Sequence, residues 1–186
     1  MSVLFTSVFT GIEIIWDRQF GFLKETLVAP VSRLSIMLGR TLGGATIASI
    51  QGLIVFGISV LVGFRFPNPG GLLLAFVFMV FTSILFTAFG TAIASELEDM
   101  QGFQLIMNFI IMPLFFLSGA LFPLNNLPKA MDVVTSLNPL SYSVDGMRGA
   151  LEGISHFGLA RDMGILAVIA ALLLLLGSYL FSKIQL

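Results

Sequence analysis

The sequence contains no cysteine. That excludes disulfides, thiol catalysis and cysteine-ligated metal sites from this chain. Charge is almost as scarce: Lys, Arg, Asp and Glu make up 10% of the 186 residues, where a soluble domain carries roughly 25%. Nine bases against ten acids leave a net charge of −1, which gives no reason to expect a nucleic-acid partner. There is one histidine, His156. No Gly-x-x-x-x-Gly-Lys-Ser/Thr run is present, so this chain binds no nucleotide through a P-loop. No His-Glu-x-x-His and no serine with a spaced histidine suggests intramembrane proteolysis. The chain is expected to be no enzyme and to hold neither metal nor cofactor itself.

What is abundant is apolar surface. Hydrophobic residues are 57% of the chain and the mean hydropathy is +1.03. Such a chain cannot cover a water-facing surface, so lipid is the solvent for most of it. Charge-free runs mark the expected spans: Met1 to about Ile15 (interrupted by Glu13), Thr41–Gly63, Gly71–Ala94, Gly102–Phe122 and Met163–Ser182. The last four hold 20–24 residues each, and about 20 residues cross the hydrocarbon core as helix. The first run is short and lacks the basic start and cleavage site of a signal peptide. The expectation is an all-α polytopic membrane protein with five spans, multi-pass in the cell inner or plasma membrane. The segment 16–40 carries four basic residues in 25, against three in the 41 residues from Phe122 to Asp162. That density puts the first loop in the cytoplasm, with the N-terminus outside and the C-terminus inside.

In that loop Trp16, Phe20, Leu23 and Leu27 recur as one helical stripe, with Asp17, Gly21 and Lys24 on the far side. Pro30 stops the helix. The pattern predicts one amphipathic helix over about 16–29, lying along the interface. Two readings stand: a passive interfacial helix, or a docking helix for a soluble subunit.

The spans carry small and polar stripes. Gly44, Ala48 and Gly52 stack at i+4, preceded by Gly39-x-x-x-Gly43, a spacing that lets helices approach closely. Ser83, Thr87, Thr91 and Ser95 repeat at i+4, and Gln101, Gln104 and Asn108 share a face. Helix–helix hydrogen bonding is the plainer account. The alternative is a weakly polar translocation surface built on Ser83, Thr87, Thr91, Gln104 and Asn108, with Met107 and Met112 nearby to suit a greasy substrate. None of the last four spans carries a charge, and a proton-driven transporter needs an ionisable relay there. If this protein moves something uphill, the energy comes from another chain.

After the fourth span, Asn138-Pro139 reads as an N-cap followed by proline at the first helical position. Leu140, Val144, Met147 and Leu151 form an apolar stripe, with Ser141, Asp145, Arg148 and Glu152 opposite. Arg148 is expected to pair with Asp145 and Glu152. Two short helices over about 123–152, interfacial or re-entrant, are predicted at the outer surface.

Three motifs now carry a resemblance. Trp16-Asp17-Arg18-Gln19-Phe20-Gly21, running on to Pro30-Val31-Ser32, resembles the cytoplasmic signature of ABC type-2 exporter permeases: an aromatic residue, an acidic-Arg pair, a glycine, then Pro-x-Ser/Thr. Leu117-Ser118-Gly119-Ala120-Leu121-Phe122-Pro123 resembles their fifth-span exit, and Leu137-Asn138-Pro139-Leu140-Ser141-Tyr142-Ser143-Val144-Asp145-Gly146-Met147-Arg148 the motif before their last span. The order is the family's, the likeness covers essentially the whole chain, and it is similar in particular to the drug- and antibiotic-resistance branch.

The resemblance implies the permease domain of an ATP-driven exporter, residues 1–186. It would work as a homo- or heterodimer in the bilayer with ABC ATPase subunits that hold ATP and Mg. Trp16, Asp17, Arg18, Phe20, Gly21, Leu23, Lys24, Leu27 and Pro30 would form the ATPase-coupling helix, about 16–30. Pro123, Asn138, Pro139, Tyr142, Asp145 and Arg148 would belong to the outer gate. The substrate would be a drug, lipid or glycan. Against the family's six spans, the N-terminal cytoplasmic helix and first span are expected to be lacking. The rival expectation is a non-transporting assembly subunit or truncated paralogue.

Overall fold

Glycine or proline stands at most of the breaks between helices. The computed structural model describes residues 1–28, 30–65, 67–121 and 129–182, without the side chains of Lys24, Leu27, Lys129 and Ala130. Among the described residues there are nine α-helices and no strand: α1 Ser2–Phe9, α2 Ile12–Phe20, α3 Phe22–Val28, α4 Arg33–Leu61, α5 Leu72–Glu96, α6 Met100–Phe116, α7 Lys129–Leu137, α8 Pro139–Glu152 and α9 Leu159–Ser182. A single 3-10 turn, Pro69–Gly71, leads into α5. The chain is an all-α polytopic membrane protein.

Local chemistry sets the helix starts. Ser32 has extended backbone and its hydroxyl accepts from the Ser35 N–H at 3.1 Å, capping α4. Asp99 caps α6 by accepting from Gly102. Asn138 caps α8 by accepting from Leu140 at 3.0 Å, with Pro139 at the first helical position.

Helix α5 is central, with α1, α4, α8 and α9 packed on it. Half of the most apolar stretch of Pro69–Glu96 is buried, against 28% of that in α4 and 22% of that in α9. The outer faces of α4 (Leu53, Ile54, Ile58) and α9 (Leu172, Leu175, Leu176) are exposed and apolar, as lipid contact requires. Small residues allow the close packing. A Cβ on Gly44 would sit 2.6 Å from Thr10 Oγ1 and 2.7 Å from Thr87 Cγ2, and one on Gly52 2.5 Å from Met79 Sδ. The Gly44/Ala48/Gly52 stripe therefore faces α1 and α5. Gly39 and Gly43 face open space instead.

Three expectations change. Arg33–Leu61, Pro69–Glu96 and Leu159–Ser182 are long and apolar enough to cross a membrane. The expected first span is not one helix: it breaks at Thr10–Gly11, where the hydrogen bonds tighten to i→i−3 and a Cβ on Gly11 would lie 2.5 Å from Gly90 carbonyl carbon. The expected fourth span ends at Phe116, after 17 residues, or about 26 Å against a hydrocarbon core of about 30 Å. Pro113 lies in its last turn and offers no N–H to continue the ladder. The single amphipathic helix over 16–29 is two helices, α2 and α3, parted by Gly21 at φ +84°, a left-handed conformation that favours glycine.

Candidate functional site

Two clusters stand at opposite ends of α5, which is about 37 Å long at 1.5 Å per residue over 25 residues. The first is built by α2. Two turns of this helix present Trp16, Asp17, Arg18 and Gln19 to three neighbours. Arg18 donates from Nη1 to the Leu97 carbonyl (3.0 Å) and from Nη2 to the Ser95 carbonyl (2.7 Å). These are orphan acceptors at the negative end of α5, where a guanidinium is favoured. Gln19 donates to the Glu98 carbonyl at 3.2 Å. Trp16 Nε1–H points at Met100 Sδ, 2.7 Å away at the start of α6. Asp17 is ion-paired with Arg40 on α4. One short helix is thus fastened to α4, α5 and α6.

Beyond the joint the apolar stripe does not run on as one face. Trp16, Phe20 and Phe22 are exposed, at 48%, 69% and 59%, while Leu23 is buried and anchors α3. The bend at Gly21 turns the two halves of the stripe apart. Pro30 is exposed; the Lys24 and Leu27 side chains lie outside the described residues.

The second cluster is at the other end. Asn138 Nδ2 donates to the Leu114 carbonyl of α6 (2.7 Å), and the Tyr142 hydroxyl to the Ser136 carbonyl of α7 (2.6 Å). Asn68 N–H donates to the Leu151 carbonyl (3.1 Å), and Arg148 Nη2 to the Gly119 carbonyl (3.3 Å). Helix α8 therefore holds together the ends of α6 and α7 and the turn before α5. The expected polar face of α8 is divided: Ser141 and Asp145 are buried, while Arg148 is half-buried and Glu152 exposed. Nor does Arg148 pair with Asp145. It lies 3.9 Å from Glu152, while Asp145 accepts from the N–H groups of His156 (2.8 Å) and Phe157 (2.9 Å) and the hydroxyl of Ser155 (2.9 Å). The loop after α8 turns at Gly153, φ +76°, and folds its donors back onto the carboxylate. Burial works to raise the Asp145 pKa, but the Phe157, His156 and Ser155 donors outweigh it and hold it below the ordinary 3.8. Pro123 lies outside the described residues, and Pro139 is half-buried.

The polar stripes do not meet. Ser83, Thr87 and Thr91 are buried, with Ser83 and Thr91 donating to carbonyls of their own helix and Ser49 Oγ 3.2 Å from Ser83 Oγ. Gln104 and Asn108 are exposed on α6, opposite its buried Phe103, Met107 and Ile111. No single surface joins the two sets. An apolar cavity of about 400 Å³ does lie beside α5, lined among others by Val3, Phe56, Phe76, Met79, Val144 and Met147. Sequence periodicity missed this cavity, the Arg18 joint and Asp162, a fully buried acid at the start of α9. The signal for Asp162 was an acid beside Arg161 in the first turn of a helix that carries no other charge.

A protein named as a transport permease, ycf38, of Cyanophora paradoxa is 29% identical over 190 aligned positions, covering 96% of this chain and 65% of that protein. A protein named as a doxorubicin resistance ABC transporter permease, DrrC, of Mycobacterium tuberculosis is 30% identical over 158 positions, 79% of this chain and 53% of that one. One named as a multidrug ABC transporter permease, YbhR, of Escherichia coli is 27% identical over 138 positions, 74% and 37% respectively. The chain thus spans about one third to two thirds of the length of these relatives. The family model for the ABC-2 type transporter matches residues 1–151, all of the first cluster and the second as far as Leu151. This chain belongs to the ABC-2 type transporter family.

Proposed function

We propose that this chain is membrane-spanning permease sequence of an ATP-driven exporter in the cell inner or plasma membrane, working as a dimer with ABC ATPase subunits that bind ATP and Mg. The observation that carries this reading is the fastening of α2 to α4, α5 and α6 at once. A push delivered to α2 and α3 is shared by three helices, two of them long enough to cross the bilayer. Phe20 and Phe22, exposed beside that joint, supply the docking contact. At the other end of α5, α7 and α8 take the role of the outer gate. The apolar lining of the cavity beside α5 suits a hydrophobic or amphipathic substrate such as a drug or lipid, and of the three expected classes it offers a glycan the fewest hydrogen-bonding partners.

The test is a search for a P-loop ATPase reading frame beside the gene, co-purification with its product, and then ATP-dependent uptake of a hydrophobic dye into inverted vesicles. Phe20→Asp with Phe22→Asp is expected to abolish ATPase association while leaving the chain membrane-inserted and folded. Unchanged association would refute the docking assignment. A stable complex with no ATP-dependent uptake would favour a non-transporting assembly subunit.

A further inference from the structure

Asp162 is a buried acid that the coupling reading does not use. It is fully buried (0% exposed) in the first turn of α9. No N–H or O–H of the described residues, other than a carboxyl proton, reaches either of its carboxyl oxygens. Helix α8 packs on α9, with a Cβ on Gly149 only 2.8 Å from Leu159 Cδ2; about one turn from each of these residues stand Asp145 and Asp162, whose carboxyls come within hydrogen-bonding reach. Two carboxylates side by side and out of water cannot both stay charged. The donors decide which is ionised. Asp145 accepts from two backbone N–H groups and the Ser155 hydroxyl, and protonating it would waste them. Asp162 has no such donors and gains a partner only by carrying the proton and donating it to Asp145.

We propose that Asp145 and Asp162 form a proton-binding site in which one shared proton latches α8 to the start of α9, at the end of α5 remote from Arg18. The surrounding charges are few. Arg161 on α9 is the cation that acts on Asp162 and favours its ionised form; its guanidinium also lies 5.6 Å over the Phe157 ring. Arg148 on α8 is turned to Gly119 and Glu152. His156 in the loop faces Asp132 of α7, 3.9 Å away. Helix α5 has no ionisable residue between Leu72 and Ala94. No neutralising partner therefore faces the pair from the central helix, and losing the proton leaves two like charges at a packed junction. The folded junction binds a proton that the unfolded chain, with ordinary aspartates near 4, would have released at neutral pH. Raising the pH removes that proton and weakens the latch.

Infrared difference spectroscopy on the purified wild-type protein at about pH 6.5, where ordinary carboxyls are ionised, is expected to show the carbonyl band of a protonated acid. The band should be lost at higher pH and in Asp162→Asn, but kept in Glu152→Gln. In parallel, wild-type thermal stability should fall as pH rises from about 5 to about 9, across the range between ordinary aspartate and lysine values. Asp162→Asn, whose amide N–H takes the place of the acid O–H, should flatten that fall. Absence of the band in the wild type, or its persistence in Asp162→Asn, would overturn the site.

Discussion

Removing the Arg18 side chain beyond Cβ, as Arg18→Ala, tests the mechanical role of α2. The structure gives Arg18 two charge-assisted bonds, at 3.0 and 2.7 Å, to the last carbonyls of α5. Each such bond contributes about 1.5–3 kcal/mol when sheltered, with about 0.3–1 kcal/mol from the helix dipole. Arg18 is half-buried, so water can replace part of what is lost, and the net weakening of the joint should be about 2 kcal/mol. At 1.4 kcal/mol per decade, that raises the open population of the joint by roughly 30-fold. The helices themselves stay folded, because their packing lies elsewhere. Hydrogen exchange of the α2 amides should therefore speed up while the middle of α5 stays protected, and transport per ATP hydrolysed should fall more than ATPase association. Arg18→Lys should restore only part, since one ammonium cannot span both carbonyls as the guanidinium fork does. Gln19→Ala, which loses one exposed bond at 3.2 Å, is the mild control. If Arg18→Ala leaves α2 exchange and the coupling ratio at wild-type values, α2 does not transmit through α5.

Gly44→Val should overpack α4 against Thr10 and Thr87 and cost about 1–3 kcal/mol, while Gly43→Ala, in the interior of α4 and facing open space, should leave thermal stability in detergent unchanged or raise it by up to about 1 kcal/mol; equal effects would show that α4 packs by another face. Because Asp145 is held by the 155–157 loop, while Arg148 pairs with Glu152 on a half-exposed face and donates to the Gly119 carbonyl, Arg148→Ala should cost about 1–2 kcal/mol, and the swap Asp145→Arg with Arg148→Asp should be worse than either single change; recovery of expression in the swap would restore the discarded pair. Arg33→Cys and Lys129→Cys, each the sole cysteine of its chain, should label from opposite sides with a membrane-impermeant thiol reagent, position 129 in intact cells and position 33 only after lysis; the reverse pattern would invert the orientation.

Capping and close-packing signals were legible because they are local. Asn138-Pro139 had to start a helix, and Gly44, Ala48 and Gly52 had to meet a neighbour, whatever the rest of the chain did. Helical periodicity was less dependable where one residue could bend the face. The Trp16/Phe20/Leu23/Leu27 stripe reads as continuous only if Gly21 is right-handed, and its φ of +84° turns the stripe into two. The 145/148/152 spacing likewise offered Arg148 two acids. The loop from Gly153 to Gly158 decided between them by folding its N–H groups onto Asp145, leaving Glu152 to Arg148.

The sequence by itself determined that lipid is the solvent, that the regular structure of the described residues is helical, and that charge gathers beside the apolar runs. These follow from composition and from the need of every backbone group in lipid to bond within its own helix. Only the tertiary structure decided which polar groups meet. Arg18 lies 77 residues from the Ser95 carbonyl it caps, and Asp162 reaches Asp145 only because α9 folds back beside α8. Such contacts rest on which helices pack together around α5; periodicity marks the face that packs and carries nothing about the helix it meets.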